Sequence, residues 1–70
     1  MKEPQPGRYR HYKGRDYQVL GLARHSETLE ELVVYRALYG DMELWVRPRG
    51  VFLEIVSVDG VEQPRFRRLE

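Results

Sequence analysis

The 70-residue chain predicts an all-β fold, a small barrel of five to six short antiparallel strands. Three observations carry this expectation. Short runs of branched and aromatic residues alternate with polar ones, at the two-residue period of a strand. Glycine-bearing turn signals (Lys13-Gly14-Arg15-Asp16, Tyr39-Gly40-Asp41-Met42 and Asp59-Gly60) separate those runs. A chain of 8.4 kDa has room for one domain. A domain that small buries only about 60% of the surface its unfolded chain exposes, so nearly every large apolar residue is needed in the core.

The elements follow in order. Residues 1–6 carry Pro4 and Pro6 and little apolar surface, which reads as a flexible tail ahead of a single domain over 7–70. Residues 7–12, GRYRHY, alternate as a short strand, with Tyr9 and His11 on one face and Arg8, Arg10 and Tyr12 on the other. Residues 16–25, DYQVLGLARH, carry apolar side chains on both faces and read as a central strand. Gly21 inside it signals a bulge, a sharp bend or a close backbone approach.

Residues 26–40 fit two patterns. Thr28 and Glu31 have capping-box spacing and Leu29, Leu32 and Val33 follow a helical stripe. The run Val33-Val34-Tyr35 favours a strand over 32–38, because branched and aromatic neighbours lose rotamer freedom in a helix. Residues 43–47, ELWVR, form a further strand with Leu44 and Val46 opposite Trp45 and Arg47, and Pro48 ends it. A short helical turn fits residues 48–52. Residues 52–58 and 61–69 then make a hairpin about Asp59-Gly60, with Pro64 placing the last strand at an edge.

Composition excludes several classes. There is no cysteine, hence no disulfide framework and no Cys-based zinc site. No apolar run approaches the ~18 residues of a membrane span, so no membrane partner is expected. The first seven residues, MKEPQPG, lack the apolar core of an export signal, which makes the cytoplasm the default location. No G-x-S-x-G nucleophile, paired carboxylates, Gly-rich phosphate loop or His spacing suited to a metal is visible, so neither enzymatic activity nor a cofactor is expected.

The charge is uneven. Residues 1–25 carry +4, residues 26–46 carry −4 and residues 47–70 carry +1, and ten of the twelve cations are Arg. Arginine forks onto phosphate and carboxylate, and aromatic rings stack on bases. The aromatic and basic residues recur together in several strands. The candidate ligand-binding residues are therefore Tyr12, Arg24, His25, Arg36, Trp45 and Arg47. In this reading Tyr12 and Trp45 offer stacking area. Arg24, Arg36 and Arg47 form one anion-binding patch, provided that they meet across adjacent strands. His25 reads first as a brace for the turn that follows it and second as a ligand contact. Trp45 is either a core plug or a binding platform.

The blocks GRYRHYKG, YQVLGLARHSET, LVVYRALYGD, LWVRP, FLE and PRF, over residues 7–67, resemble the bacterial family of domains of unknown function numbered 1653. Arg15-Asp16 and Arg49-Gly50-Val51 depart from the usual residues of that family. The resemblance implies an SH3-type barrel and implies no activity. Together these readings favour a non-enzymatic binding module for an anionic ligand, first a nucleotide or nucleic acid. The alternative is a protein-interaction or self-associating module using an open sheet edge and the complementary +4 and −4 segments.

Overall fold

The structure, a computed structural model, describes residues 2–69. Seven strands and one short helix follow one another as β1 (Gly7–His11), β2 (Asp16–Arg24), β3 (Glu31–Ala37), β4 (Leu44–Pro48), α1 (Arg49–Phe52), β5 (Ile55–Val58), β6 (Val61–Pro64) and β7 (Phe66–Arg68). All pairings are antiparallel. The stretch around Val33-Val34-Tyr35 is a strand, and the turn after Pro48 is helical, as its sequence suggests.

The first four strands form a meander, and β7 returns to pair with β1. The order is β4-β3-β2-β1-β7, with β5 and β6 in a separate two-stranded ribbon. The expected barrel is not closed: β4 and β7 are the two edges of the main sheet and do not pair with each other. The last predicted strand is also divided. Residue 65 lies between β6 and β7, and the chain changes sheets there.

One face of the main sheet is buried. Tyr9, Val19, Val33, Tyr35 and Phe66 pack there with Phe52, which α1 delivers onto the sheet. Phe52 and Phe66 lie parallel, with ring centroids 4.0 Å apart, while Tyr9 and Tyr35 meet Phe52 edge-on at 5.7 and 5.6 Å. A four-residue helix has no stability of its own. It persists because Phe52 is 1% exposed and ties it to the sheet.

The expected bulge in β2 is present. Val19 pairs with Tyr35 and Gly21 pairs with Val34, so Leu20 is the extra residue. A one-residue slip exchanges the faces of everything beyond it. Tyr17 and Val19 point to the core, but past the bulge it is Leu22, opposite the buried Val33, that shares that side. The second face of β2 is not covered, and Leu20 stands 48% exposed.

Residues 2–6 form no regular element, yet they are held. Pro4 is fully buried. The Tyr9 hydroxyl donates to the Gln5 carbonyl at 2.9 Å, the Arg49 guanidinium donates to the Glu3 carbonyl, and Lys2 pairs with Glu31. Met1 and Glu70 lie outside the described residues.

Candidate functional site

The six residues singled out from the sequence do not form one patch. Arg36 alternates with the buried Tyr35 and Ala37, so it lies on the open face of the sheet, where it donates to the Met42 carbonyl at 2.8 Å. Arg47 lies opposite Val33, on the core side. Its Nε donates to the Tyr35 hydroxyl at 3.1 Å, and its guanidinium sits 5.5 Å from the Phe66 ring centroid. Arg24, at the end of β2, reaches the Leu29 carbonyl at 2.9 Å and Glu31 at 3.8 Å. The expected joint cluster of Arg24, Arg36 and Arg47 is thus corrected. Strand alternation sends Arg36 to the face opposite Arg47, and the local carbonyl and carboxylate engage Arg24.

His25 braces its turn. Its Nδ1 accepts the Glu27 and Thr28 amides at 3.1 and 3.3 Å. Trp45 does not plug the core: it stands across from Tyr35 on edge strand β4 and is 48% exposed. Tyr12 is half-buried just beyond β1, with its ring 4.5 Å from that of His11 and the Lys13 ammonium 5.9 Å from its centroid.

Two surface pockets each hold one of these aromatics. The first, of ≈ 80 Å³, lies where the β1–β2 turn meets the end of β6 and the start of β7. Arg10 and Arg67 line it with Tyr12 and His11, and Gln63 and Pro64 close it from β6. Arg10 and Arg67 are direct cross-strand partners on one face of the β1–β7 pair. Like charges placed this way destabilise a sheet unless something negative lies between them. Asp16 answers only Arg10, through bonds of 2.7 and 3.2 Å. That contact holds the Asp16 carboxyl below its ordinary range, with the charges of Arg10 and Arg8 acting the same way. Among the described residues Arg67 has no carboxylate within ion-pair distance, and no carboxylate lines the pocket.

His11, which also lines this pocket, is partly buried. Partial burial, then the charges of Arg47, Arg65 and Lys13, push its pKa below the usual value of 6.5. The imidazole is neutral at neutral pH. Its Nδ1 accepts the Lys13 amide at 3.1 Å, so the proton rests on Nε2.

The second pocket, of ≈ 70 Å³, lies between the β3–β4 turn and the Trp45 indole. Tyr39, Met42 and Trp45 line it together with Asp41 and Glu43. The Tyr39 hydroxyl meets that of Tyr17 at 2.8 Å. Burial, followed by this bond, pushes the Tyr17 pKa up to about 12. The two pockets share no lining residue. Among the described residues no group of three His, Asp or Glu side chains is placed to hold a metal ion, and no helix is long and apolar enough to cross a membrane.

The sequence reading missed Arg67 and did not select Arg10. Alternation showed Arg10 on the same face as Tyr12, but nothing local indicated that β7, near the far end of the chain, would pair with β1.

Such a chain is a small antiparallel all-β protein with pockets on its surface. It belongs to the family of proteins of unknown function DUF1653, whose model matches residues 7–68. It is similar to a crystal structure of a DUF1653 protein from Bordetella bronchiseptica, with 42% identity and a TM-score of 0.90. That match covers 99% of this chain and 91% of the other. No functionally curated protein matches the chain.

Proposed function

We propose that this protein is a non-enzymatic binding module whose ligand carries a phosphate, with a nucleotide as the first candidate. The observation behind this reading is the cross-strand Arg10–Arg67 pair, of which Asp16 neutralises Arg10 alone, at the wall of a pocket without carboxylates. Arg67 offers a fork of N–H donors that fits phosphate oxygens, and Arg10, whose Nε and one terminal nitrogen are held by Asp16, adds its charge beside it. The phosphate takes the place that an acidic side chain would need to fill between the two cations. Gln63 lines the same pocket and supplies an amide as a further polar contact. Tyr12 gives the base a ring to lie on once the flexible Lys13 moves aside. The near-neutral total charge of +1 suits a single nucleotide or a short single strand better than a long duplex, whose binding needs many neutralised phosphates.

The test is a chemical-shift titration with inorganic phosphate, AMP and adenosine at constant ionic strength. The amides of Gly14, Gln63 and Arg67 are expected to shift saturably with phosphate and more tightly with AMP, and to stay still with adenosine. Losing one charge-assisted contact in Arg67→Gln weakens binding by about tenfold or more. That variant keeps its fold, because it removes a repulsion rather than a partner. Equal shifts with chloride, or undiminished binding by Arg67→Gln, would end this reading.

A further inference from the structure

We propose that the pocket beside Trp45 accepts the side-chain ammonium of a lysine, free or methylated, presented by a partner protein. This inference is independent of the phosphate reading, because the two pockets have separate walls.

The first support is aromatic. Trp45, the sole tryptophan, leaves 48% of its surface in solvent, and Tyr39 beside it leaves 36%. Indole and phenol faces attract cations through the ring quadrupole, with Trp the strongest. The Arg15 guanidinium already lies 4.3 Å from the Tyr39 ring centroid, so the guest's cation is assigned to the Trp45 indole, with Tyr39 as the neighbouring wall.

The second support is charge. Asp41 and Glu43 line the pocket, and neither makes an ion pair among the described residues. Glu43 immediately precedes β4, and its carbonyl accepts the Ala37 amide at 3.0 Å, one pair beyond the end of the β3–β4 ladder. Two unpaired carboxylates disfavour an anionic guest and favour a cationic one. The pocket also lies in the segment that carries −4.

The third support is rigidity. The Met42 amide donates to the Tyr39 carbonyl at 3.0 Å, the Ala37 amide to the Glu43 carbonyl at 3.0 Å, and Arg36 to the Met42 carbonyl at 2.8 Å. Gly40 and Met42 hold positive φ of 56° and 53°. The turn is therefore tied at several points before any guest arrives, which lowers the ordering cost of binding. A linear lysine with a compact head fits a small open pocket better than a planar guanidinium, and alkylation of the head removes the competing hydration.

Fluorescence of the single tryptophan reads the site directly. Tetramethylammonium chloride, tert-butyl alcohol and a short neutral peptide carrying one trimethyllysine are titrated at fixed ionic strength. The expected result is a saturable change with tetramethylammonium and with the peptide, and at least about fivefold weaker binding of the uncharged alcohol. Glu43→Gln is expected to weaken both cations roughly threefold to tenfold, while phosphate shifts at Gly14 and Gln63 persist. Asp41→Asn serves as a second variant should Glu43→Gln fold poorly. Binding of tetramethylammonium without the peptide would overturn the lysine assignment. Linear responses to every titrant, or cation binding unchanged in both variants, would overturn the pocket itself.

Discussion

Phe52 is the residue on which the architecture can be tested most sharply. It is the only fully buried residue that the helix supplies, and its ring lies flat on Phe66 with an interplanar angle of 2°. Truncation to alanine removes the stacked partner and leaves a cavity between sheet and helix. Phe→Ala in a packed core costs about 3–5 kcal/mol. A 70-residue domain has a total stability of roughly 3.5–10 kcal/mol at the usual value per residue. Phe52→Ala is thus expected to take about a third of the stability or more, and to lower Tm by about 15–30 °C. Phe52→Leu keeps most of the apolar volume and loses the ring stack, at a cost of about 1.5 kcal/mol. Urea unfolding followed by far-UV circular dichroism gives both numbers on one scale. A loss below about 1.5 kcal/mol for the alanine variant, or equal losses for alanine and leucine, would refute the claim that a packed ring holds α1 to the sheet.

Two further outcomes concern titrating groups. The folded-state pKa of His11 is depressed, so its contribution to stability is complete above the unfolded value of 6.5 and is lost as pH falls through the folded value. Stability measured by urea unfolding should be flat above that pH and decline below it. The decline should shrink in His11→Gln; an identical profile for the two proteins would contradict the assignment. The Tyr39→Phe variant removes the hydroxyl that meets Tyr17. Tyr17 should then ionise below about 12 but still above 10.0, because burial, the larger cause, remains. Phenolate absorbance against pH reads this, and an unmoved last titration step would count against the hydroxyl pair.

The local features were legible in the sequence because they depend on neighbours in the chain. Branched and aromatic neighbours at Val33-Val34-Tyr35 force extended backbone, and β3 is the result. Asp59 and Gly60 both hold positive φ, at 52° and 79°, as a tight hairpin turn requires. Pro48 closes β4 and opens the helical turn. Gly21 marked the bulge. The alternation in β4 correctly separated Leu44 and Val46 from Trp45 and Arg47. The blocks of residues that carry the family resemblance also needed no coordinates, and the family match over residues 7–68 agrees with them.

Which strand lies beside which was decided only by tertiary structure. The return of β7 to β1 sets Arg67 opposite Arg10, across most of the length of the chain, and builds the pocket that both arginines line. The same topology leaves β4 as an edge, so Trp45 meets solvent and not the core. The extra residue in β2 reverses the facing of its second half, and alternation in β3 and β4 parts Arg36 from Arg47. A two-residue period tells a side chain from its neighbour's opposite face, but it carries no record of the partner strand. Pairing between distant segments is selected by how the aromatic core closes around Phe52 and Phe66, a property of the whole chain that no local window contains.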